Sequence, residues 1–221
     1  MKSWNDFNYR RLPVISNIQV ASGSYILTFK REFDFIAGQV IGIGVSEKIP
    51  PRLYSIASGE KEDHIEILYT EKPDGTLTPM LSLLKSGDTI LVTDPFGSFT
   101  NSDQSPIWIA VGTGIAPFMS RLLSGKGEGA TLIHGVRTPD FFYYQNLLKD
   151  QLGDNYIQCC SRCTVGPFYN GRVTSFLQHW DKLDLTRKYY LCGSAEMVVE
   201  TRDKLIALGV PFANVNAEIY F

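Results

Sequence analysis

Nowhere in its 221 residues does the chain carry an apolar run approaching the roughly 20 residues a bilayer-spanning helix requires. Its first residues, Met1-Lys2-Ser3-Trp4-Asn5-Asp6, lack the apolar core and small-residue cleavage site of a secretory leader. These absences predict a cytoplasmic location and no stable membrane association. An excess of one charge is missing as well. Net charge is −2, with 10 Lys/Arg against 12 Asp/Glu in the first hundred residues and 11 of each in the remainder. No basic half exists to face a nucleic acid. Cysteine is scarce, with four residues at 159, 160, 163 and 192. The cluster Cys159-Cys160-Ser161-Arg162-Cys163 invites a metal reading, but zinc and iron–sulfur centres want four ligands at characteristic spacings. The fourth cysteine is distant, and adjacent residues in a strand point to opposite faces, so reduced, mostly structural thiols are expected. Internal repeats and low-complexity tracts are also lacking. What remains, 44% apolar and 20% charged residues, is an ordinary globular composition that excludes disorder and collagen-like structure.

The first hundred residues read as short strands: Val14–Val20, Ser24–Phe29, Val40–Val45, Ile65–Thr70 and Thr89–Thr93. Turn formers separate them at Ser22-Gly23, Pro50-Pro51, Pro73-Asp74-Gly75 and Ser86-Gly87-Asp88. Alternation is imperfect in Ser24–Phe29 and only partial in Ile65–Thr70. Strands at this spacing predict a barrel or sandwich. One helix interrupts them, with Thr78 as cap, Pro79 at its first position and Met80, Leu81, Leu83 and Leu84 as its apolar face. From about residue 105 the rhythm changes. Ile107-Trp108-Ile109-Ala110-Val111 is a near-continuous apolar run, as in a strand buried on both faces. A glycine turn and a helix to Leu123 follow. Then come Thr131–Val136, a helix near Asp140–Leu148, Tyr156–Cys160, a helix near Val173–Trp180, Lys188–Cys192, a helix near Ala195–Leu208 and a strand at Val215–Tyr220. The expected fold is an antiparallel β-barrel in residues 1–100 and a parallel-sheet α/β domain in residues 101–221, joined in the polar stretch between Phe99 and Ser105.

Three segments carry the chemistry. In Arg52-Leu53-Tyr54-Ser55, an extended chain places Arg52 and Tyr54 on one face and Ser55 on the other. A guanidinium beside a ring suits a diphosphate next to a flat ligand, although an exposed Arg and a packed Tyr on an ordinary strand fit these four residues as well. Gly112-Thr113-Gly114-Ile115-Ala116-Pro117 lies between a buried strand and a helix. Glycines let the backbone approach a ligand closely, and the helix start offers free N–H groups to a phosphate. Pro117 stands where the common dinucleotide fingerprint has its third glycine. Leu191-Cys192-Gly193-Ser194-Ala195-Glu196-Met197 again links the carboxyl end of a strand to a helix, the place where open α/β sheets bind ligands.

In this order and on these elements, Arg-x-Tyr-Ser, Gly-Thr-Gly-Ile-Ala-Pro and Cys-Gly-x-x-x-Met resemble the ferredoxin(flavodoxin)–NADP reductase family. The chain's end, Glu218-Ile219-Tyr220-Phe221, resembles the family's terminal Glu-x-Tyr with one added aromatic, an extension typical of a bacterial subgroup whose last residue is usually Trp. The resemblance covers nearly the whole chain. It implies that residues 1–100 bind FAD and residues 101–221 bind NADP(H). Arg52 would hold the FAD diphosphate, with Leu53 beside it, Tyr54 against the flavin and Ser55 near ring nitrogen N5. Leu68, Tyr69 and Thr70 would form a second flavin segment, and Gly75, Thr76, Leu77 and Thr78 would open the helix facing the diphosphate. Thr113 would lie close to both flavin and nicotinamide. Tyr220 would stack where nicotinamide lands, and Phe221 would pack on the FAD adenine.

Selectivity between the two pyridine nucleotides is legible as well. An NAD enzyme places an acid after the second strand of its nucleotide domain. Here that strand ends His134-Gly135-Val136-Arg137. Ser161-Arg162 and Gly171-Arg172 follow, and the arginine fork suits a phosphate. Arg162 and Arg172 are therefore expected on the 2′-phosphate, with Arg137 on the cofactor's phosphates or ribose and Val136 and Ser161 beside them. Gly112, Thr113, Gly114, Cys192, Gly193, Ser194 and Met197 would line the rest of the NADP site. Cys163 stands where the family often has Glu. Ser55, Cys192, Glu218 and Tyr220 would surround the reacting atoms. Electrons would pass to a separate ferredoxin or flavodoxin, with Arg10, Arg11, Lys30, Arg31 and Lys48 as candidate contacts for an acidic partner. Two rival readings are a reductase of free flavin and a redox-sensing flavoprotein without turnover.

Overall fold

A computed structural model describes residues 7–100 and 103–220, without the side chain of Tyr220. It comprises two compact units, one formed by Met1–Thr100 with Met119–Gly125, the other by Asn101–Phe118 with Lys126–Phe221.

The first unit contains β1 (Tyr9–Ala21), β2 (Ser24–Lys30), β3 (Val40–Gly44), β4 (Arg52–Ser55), β5 (His64–Thr70), the short helix α1 (Thr78–Ser82) and β6 (Thr89–Thr93). The strands pair antiparallel in the order β4-β3-β6-β1-β2-β5. Just past β4, Ile56 bridges to Ile67 of β5, and the Ala57 amide donates to the Glu66 carbonyl at 2.8 Å. The two edge strands thereby meet and close the sheet into a barrel, which removes the exposed edges an open sheet would leave. The interior is filled by every second residue: Leu12 and Val14, Leu27 and Phe29, Ile41 and Ile43, Ile65 and Ile67, Ile90 and Val92. Alternation is obscured in β2 because Ile26 faces outward across from Ile18 of β1, whose side chain is 58% exposed.

The second unit is built from β7 (Ile107–Val111), the start of α2 (Ala116–Leu123, whose residues from Met119 onward belong to the first unit), β8 (Thr131–Val136), α3 (Gln145–Leu152), β9 (Tyr156–Cys160), β10 (Tyr169–Asn170), α4 (Val173–Gln178), β11 (Tyr189–Ser194), α5 (Ala195–Ala207) and β12 (Val215–Tyr220). All six strands run parallel in the order β10-β9-β8-β7-β11-β12. On one face Ile107, Ile109, Ile133 and Leu191 pack against Val173, Leu177 and Trp180 at α4 and Val198 and Leu205 of α5. On the other, Trp108 stacks on Phe118 with ring centroids 5.5 Å apart. Burial on both faces explains the unbroken apolar run of β7. From β7 the chain steps outward through β8, β9 and β10, then crosses back to place β11 on β7's other side. The order of the sheet therefore reverses between β7 and β11, and in such sheets the ligand crevice opens at the carboxyl ends of the two strands flanking that point. Among the described residues, no helix is long and apolar enough to cross a membrane.

Several local expectations are corrected. Thr78 is the first residue of α1 rather than its cap. Leu77 takes the cap position without a side-chain hydrogen bond, while the Thr78 hydroxyl folds back to accept the Lys72 amide at 2.8 Å. The helix placed near Asp140–Leu148 starts at Gln145, after a tight turn over Pro139–Phe141 and a left-handed Tyr144 (φ 57°). The short β10 was not anticipated.

Candidate functional site

In the barrel unit, β4 carries the first motif, and burial deepens along it from Arg52 to Ser55 rather than alternating. Arg52 is exposed, and its guanidinium makes no hydrogen bond or ion pair with a described residue. Tyr54 is half-buried, with its ring edge-on to Tyr69 at 6.3 Å. Burial raises the Tyr54 phenol pKa, and the Arg52 charge opposes that only in part. Ser55 is buried opposite Val40. Leu53, like Arg52, is exposed. In the second segment, Tyr69 lies inside the barrel core, stacked on Tyr25 at 5.4 Å, and its hydroxyl donates to Asn17 at 3.1 Å. Leu68 is buried too, and Thr70 alone of the three is exposed. The Gly75 amide closes a turn onto the Lys72 carbonyl at 2.8 Å, with Thr76 and the buried Leu77 leading into α1. Four of the five cations proposed as partner contacts are neutralised locally. Arg10 pairs with Asp94, Arg11 with Glu47, Lys30 with Glu32 and Arg31 with Asp34.

In the α/β unit, the two glycine turns meet. Gly112 bends at φ 56°, a left-handed backbone that glycine adopts without penalty, and a Cβ there would find open space. Gly114 is the opposite case. A Cβ would stand 2.2 Å from the Cys192 carbonyl oxygen and 2.8 Å from the Gly193 nitrogen. Only a glycine lets the turn after β7 lie this close to the end of β11, at the point where the sheet order reverses. Thr113 between them is half-exposed. Cys192 is buried and pairs in register with Glu218 of β12 on one side and Ala110 of β7 on the other, so two of the residues expected around the reacting atoms are neighbours. Ser194, exposed at the start of α5, is in register with the backbone of Tyr220. Met197 sits one turn into α5, where it accepts from the Thr201 hydroxyl at 3.2 Å. The Tyr220 side chain and all of Phe221 lie outside the described residues.

The three arginines stand on neighbouring strand ends. Arg137 follows β8, Arg162 follows β9 and Arg172 follows β10, at the carboxyl ends of three adjacent strands. The Arg162 amide donates to the Arg137 carbonyl at 2.9 Å, the Ser161 amide to the Val136 carbonyl at 3.0 Å and the Gly171 amide to the Cys160 carbonyl at 2.9 Å. All three guanidinium-bearing residues are exposed. Arg172 also reaches Glu200 of α5 at 3.6 Å, a pair that sequence gave no means to anticipate because it joins two helices. The side chain of Val136 turns inward against Phe142 and Cys160. Beneath the Gly112 turn lies another unanticipated group. Buried His134 has Nδ1 3.1 Å from the Tyr156 hydroxyl, and burial pulls its pKa down to about 4 against the influence of the Gly112 carbonyl.

The expectation of reduced thiols is overturned in part. Cys160 and Cys163 form a disulfide, with Cα atoms 5.6 Å apart. Cys159 and Cys192 are free and buried, and burial pushes the Cys159 thiol up to about 12. Adjacent Cys159 and Cys160 do face opposite sides of the sheet, one among Ile133 and Val173, the other against Phe142.

A closed antiparallel barrel followed along the chain by a parallel sheet, with glycine turns at its switch point and arginines at neighbouring strand ends, defines a two-domain oxidoreductase architecture. The chain belongs to the ferredoxin–NADP reductase family. It is 35% identical over 159 residues to the ferredoxin–NADP reductase of Azotobacter vinelandii, an alignment that spans 67% of this chain and 62% of that one. It is 30% identical over 211 residues to the enzyme of that name from Pseudomonas aeruginosa, spanning 80% of each. In structure it is similar to a ferredoxin–NADP reductase from Neisseria gonorrhoeae solved with bound FAD and NADP, with a TM-score of 0.87, 21% identity and coverage of 96% of this chain and 99% of that one. No family model matches the chain.

Proposed function

We propose that the chain is an FAD-dependent NADP(H) oxidoreductase that exchanges electrons with a ferredoxin or flavodoxin in the cytoplasm. The observation that carries this reading is the contact of Gly114 with the Cys192 carbonyl at the switch point, with Arg137, Arg162 and Arg172 exposed on the strands to one side. The donor set fits the two groups. Close backbone turns suit a pyrophosphate, and strand-end guanidinium groups suit a 2′-phosphate. The exposed Arg52, on the same strand as a half-buried ring, suits a flavin diphosphate.

When bound, FAD supplies the conversion between two-electron hydride chemistry and one-electron transfer. The chain's residues bind and orient. Arg52 would neutralise the diphosphate, Leu53 and Tyr54 would flank the ring system, and buried Ser55 would offer its hydroxyl to the flavin. Leu68, Tyr69 and Thr70 and the turn Gly75, Thr76, Leu77, Thr78 complete that site. In the second unit, the amides of Gly112, Thr113 and Gly114 and of Gly193 and Ser194 would hold the nucleotide's phosphates, with Met197 lining the same site. Arg162 and Arg172 select the 2′-phosphate, and Arg137, Val136 and Ser161 frame the ribose. Cys192 and Glu218 would exclude water and hold charge where nicotinamide reacts, and motif position alone assigns Tyr220 to that place and Phe221 to the adenine.

Anaerobic stopped-flow reduction of the desalted protein by NADPH and NADH, followed by visible absorbance, tests the proposal. A yellow protein bleached much faster and at lower concentration by NADPH is expected. Equal or better reduction by NADH would overturn the arginine assignment. A colourless protein that FAD cannot reconstitute would overturn the whole.

A further inference from the structure

The Cys160–Cys163 bridge brackets Ser161 and Arg162, and no part of the proposed hydride chemistry uses it. Cys160 closes β9 and is fully buried, whereas Cys163, three residues on, is only half-buried. Both sulfurs converge on one atom, the carbonyl oxygen of Arg137. Cys160 Sγ lies 3.4 Å from it and Cys163 Sγ 3.9 Å. The same oxygen accepts the Arg162 amide at 2.9 Å. The bridge therefore lies against the backbone hydrogen bond that joins the strand ends carrying Arg137 and Arg162. The next strand end is tied in as well, since the Cys160 carbonyl receives the Gly171 amide, one residue before Arg172.

We infer that Cys160 and Cys163 form a redox-modification site for small anionic disulfides, and that its state sets the affinity of Arg162 and its neighbours for a 2′-phosphate. This inference rests on the assignment of those arginines made above. In the reduced protein the half-buried Cys163, as thiolate, attacks one sulfur of a disulfide such as oxidised glutathione. One thiolate leaves, and a mixed disulfide remains on Cys163. Cys160, as thiolate, then attacks Cys163 Sγ, forms the intramolecular bridge and expels the second thiolate. Two electrons pass from the cysteine pair to the carrier disulfide, and the two protons from the cysteine thiols end on the two carrier thiols. A dithiol reductant reverses the sequence. Exposed Arg137, Arg162 and Arg172 around the loop favour an anionic carrier over a neutral one.

Opening the bridge acts on the arginines in two ways. It returns backbone freedom to Ser161 and Arg162, which ligand binding must then remove. It also creates two S–H donors beside the Arg137 carbonyl. That oxygen has two lone pairs, and the Arg162 amide already uses one, so the thiols compete with the bond that holds Arg162 in place.

The test uses the full flavin-loaded chain, equilibrated with oxidised glutathione or with dithiothreitol, desalted, and titrated calorimetrically with adenosine 2′,5′-bisphosphate. Adenosine 5′-phosphate, which lacks the 2′-phosphate, is the control. Native alkylation and peptide mass analysis report the state of each cysteine. The oxidised form is expected to bind the bisphosphate about tenfold more tightly, equivalent to roughly 1.4 kcal/mol, and the control ligand equally in both states. Cys163→Ser is expected to hold the weaker affinity under both treatments. Equal affinities for the bisphosphate in protein whose Cys160 and Cys163 demonstrably interconvert would overturn the switch. So would a pair that oxidised glutathione cannot close. Failure of either form to bind the bisphosphate would instead overturn the arginine assignment itself, and the switch with it.

Discussion

Replacing Gly114 by alanine probes the contact on which the nucleotide reading rests. The added Cβ would stand 2.2 Å from the Cys192 carbonyl oxygen, and ordinary van der Waals contact begins at 3.4 Å. The turn and the end of β11 must therefore separate by at least 3.4 − 2.2 = 1.2 Å along that line. The obstacle is backbone on both sides, so no side-chain rotation can relieve it. Overpacking of this kind costs roughly 1–3 kcal/mol of stability. The cost to function is greater, because a misplacement of about 1 Å between groups that position a substrate lowers rate by on the order of a hundredfold. The expected result is a folded protein, several degrees lower in Tm, that keeps its flavin spectrum but loses about two orders of magnitude in kcat/KM for NADPH. Gly112→Ala is the internal control. Its Cβ would meet nothing within 4 Å, and the strain lies only in the left-handed backbone (φ 56°), worth roughly 1–2 kcal/mol. A Gly114→Ala protein with kcat/KM within threefold of the parent would refute the claim that the two turns hold the nucleotide together.

Other perturbations follow from the same geometry. Arg172 shares its charge with Glu200 at 3.6 Å, and both are exposed, so Glu200→Gln is expected to tighten binding of adenosine 2′,5′-bisphosphate by no more than a few-fold at low salt, an effect lost at high salt; weaker binding would mean that Glu200 positions Arg172 rather than competing for it. Ser55→Ala is expected to slow hydride transfer about three- to tenfold in a protein that still folds and binds flavin, and an unchanged single-turnover rate would remove Ser55 from the reacting site. His134 is held at a pKa of about 4, below the unfolded value near 6.5, so the unfolded chain binds the proton first and the contribution of His134, fully present above pH 6.5, is lost as pH falls toward 4. Urea unfolding at pH 7 and pH 5 is expected to show about 2 kcal/mol of pH-dependent loss that His134→Gln abolishes; the same loss in the variant would place its origin elsewhere.

The strands of the second unit were readable because burial on both faces leaves a local signature, the unbroken run Ile107–Val111. The barrel was harder to read, because Ile26 faces outward, breaks the alternation of β2 and makes an inner and an outer apolar residue indistinguishable by pattern. The segment Phe141-Phe142-Tyr143-Tyr144 was misplaced into a helix. Its aromatics are held by partners far along the chain, with Phe142 6.0 Å from Phe168 and edge-on to His134 at 5.5 Å, and such contacts leave no local trace. The disulfide was missed for a related reason. Cys160 and Cys163 meet only because the chain leaving β9 bends back over the Arg137 carbonyl, and spacing does not reveal that bend.

The arginines show where sequence stops and structure begins, since one letter stands for three different uses. Some hold loops by donating to carbonyls: Arg121 to Phe99, and Arg187 to Ser105 at 2.6 Å, to Pro106 at 3.2 Å and to Gly129 at 3.2 Å. Others, such as Arg10 and Arg11, are spent on carboxylates at the barrel surface. Arg52, Arg137 and Arg162 fall in neither group. Each is exposed, and the guanidinium of each makes no hydrogen bond or ion pair with a described residue. Motif position selected these three from the sequence, and local pairing selects them from the structure. The two criteria are independent, because a motif says nothing of which carboxylates fold nearby. The same sorting separates them from Arg10, Arg11 and Arg31, which were put forward on charge alone and which the fold has already neutralised.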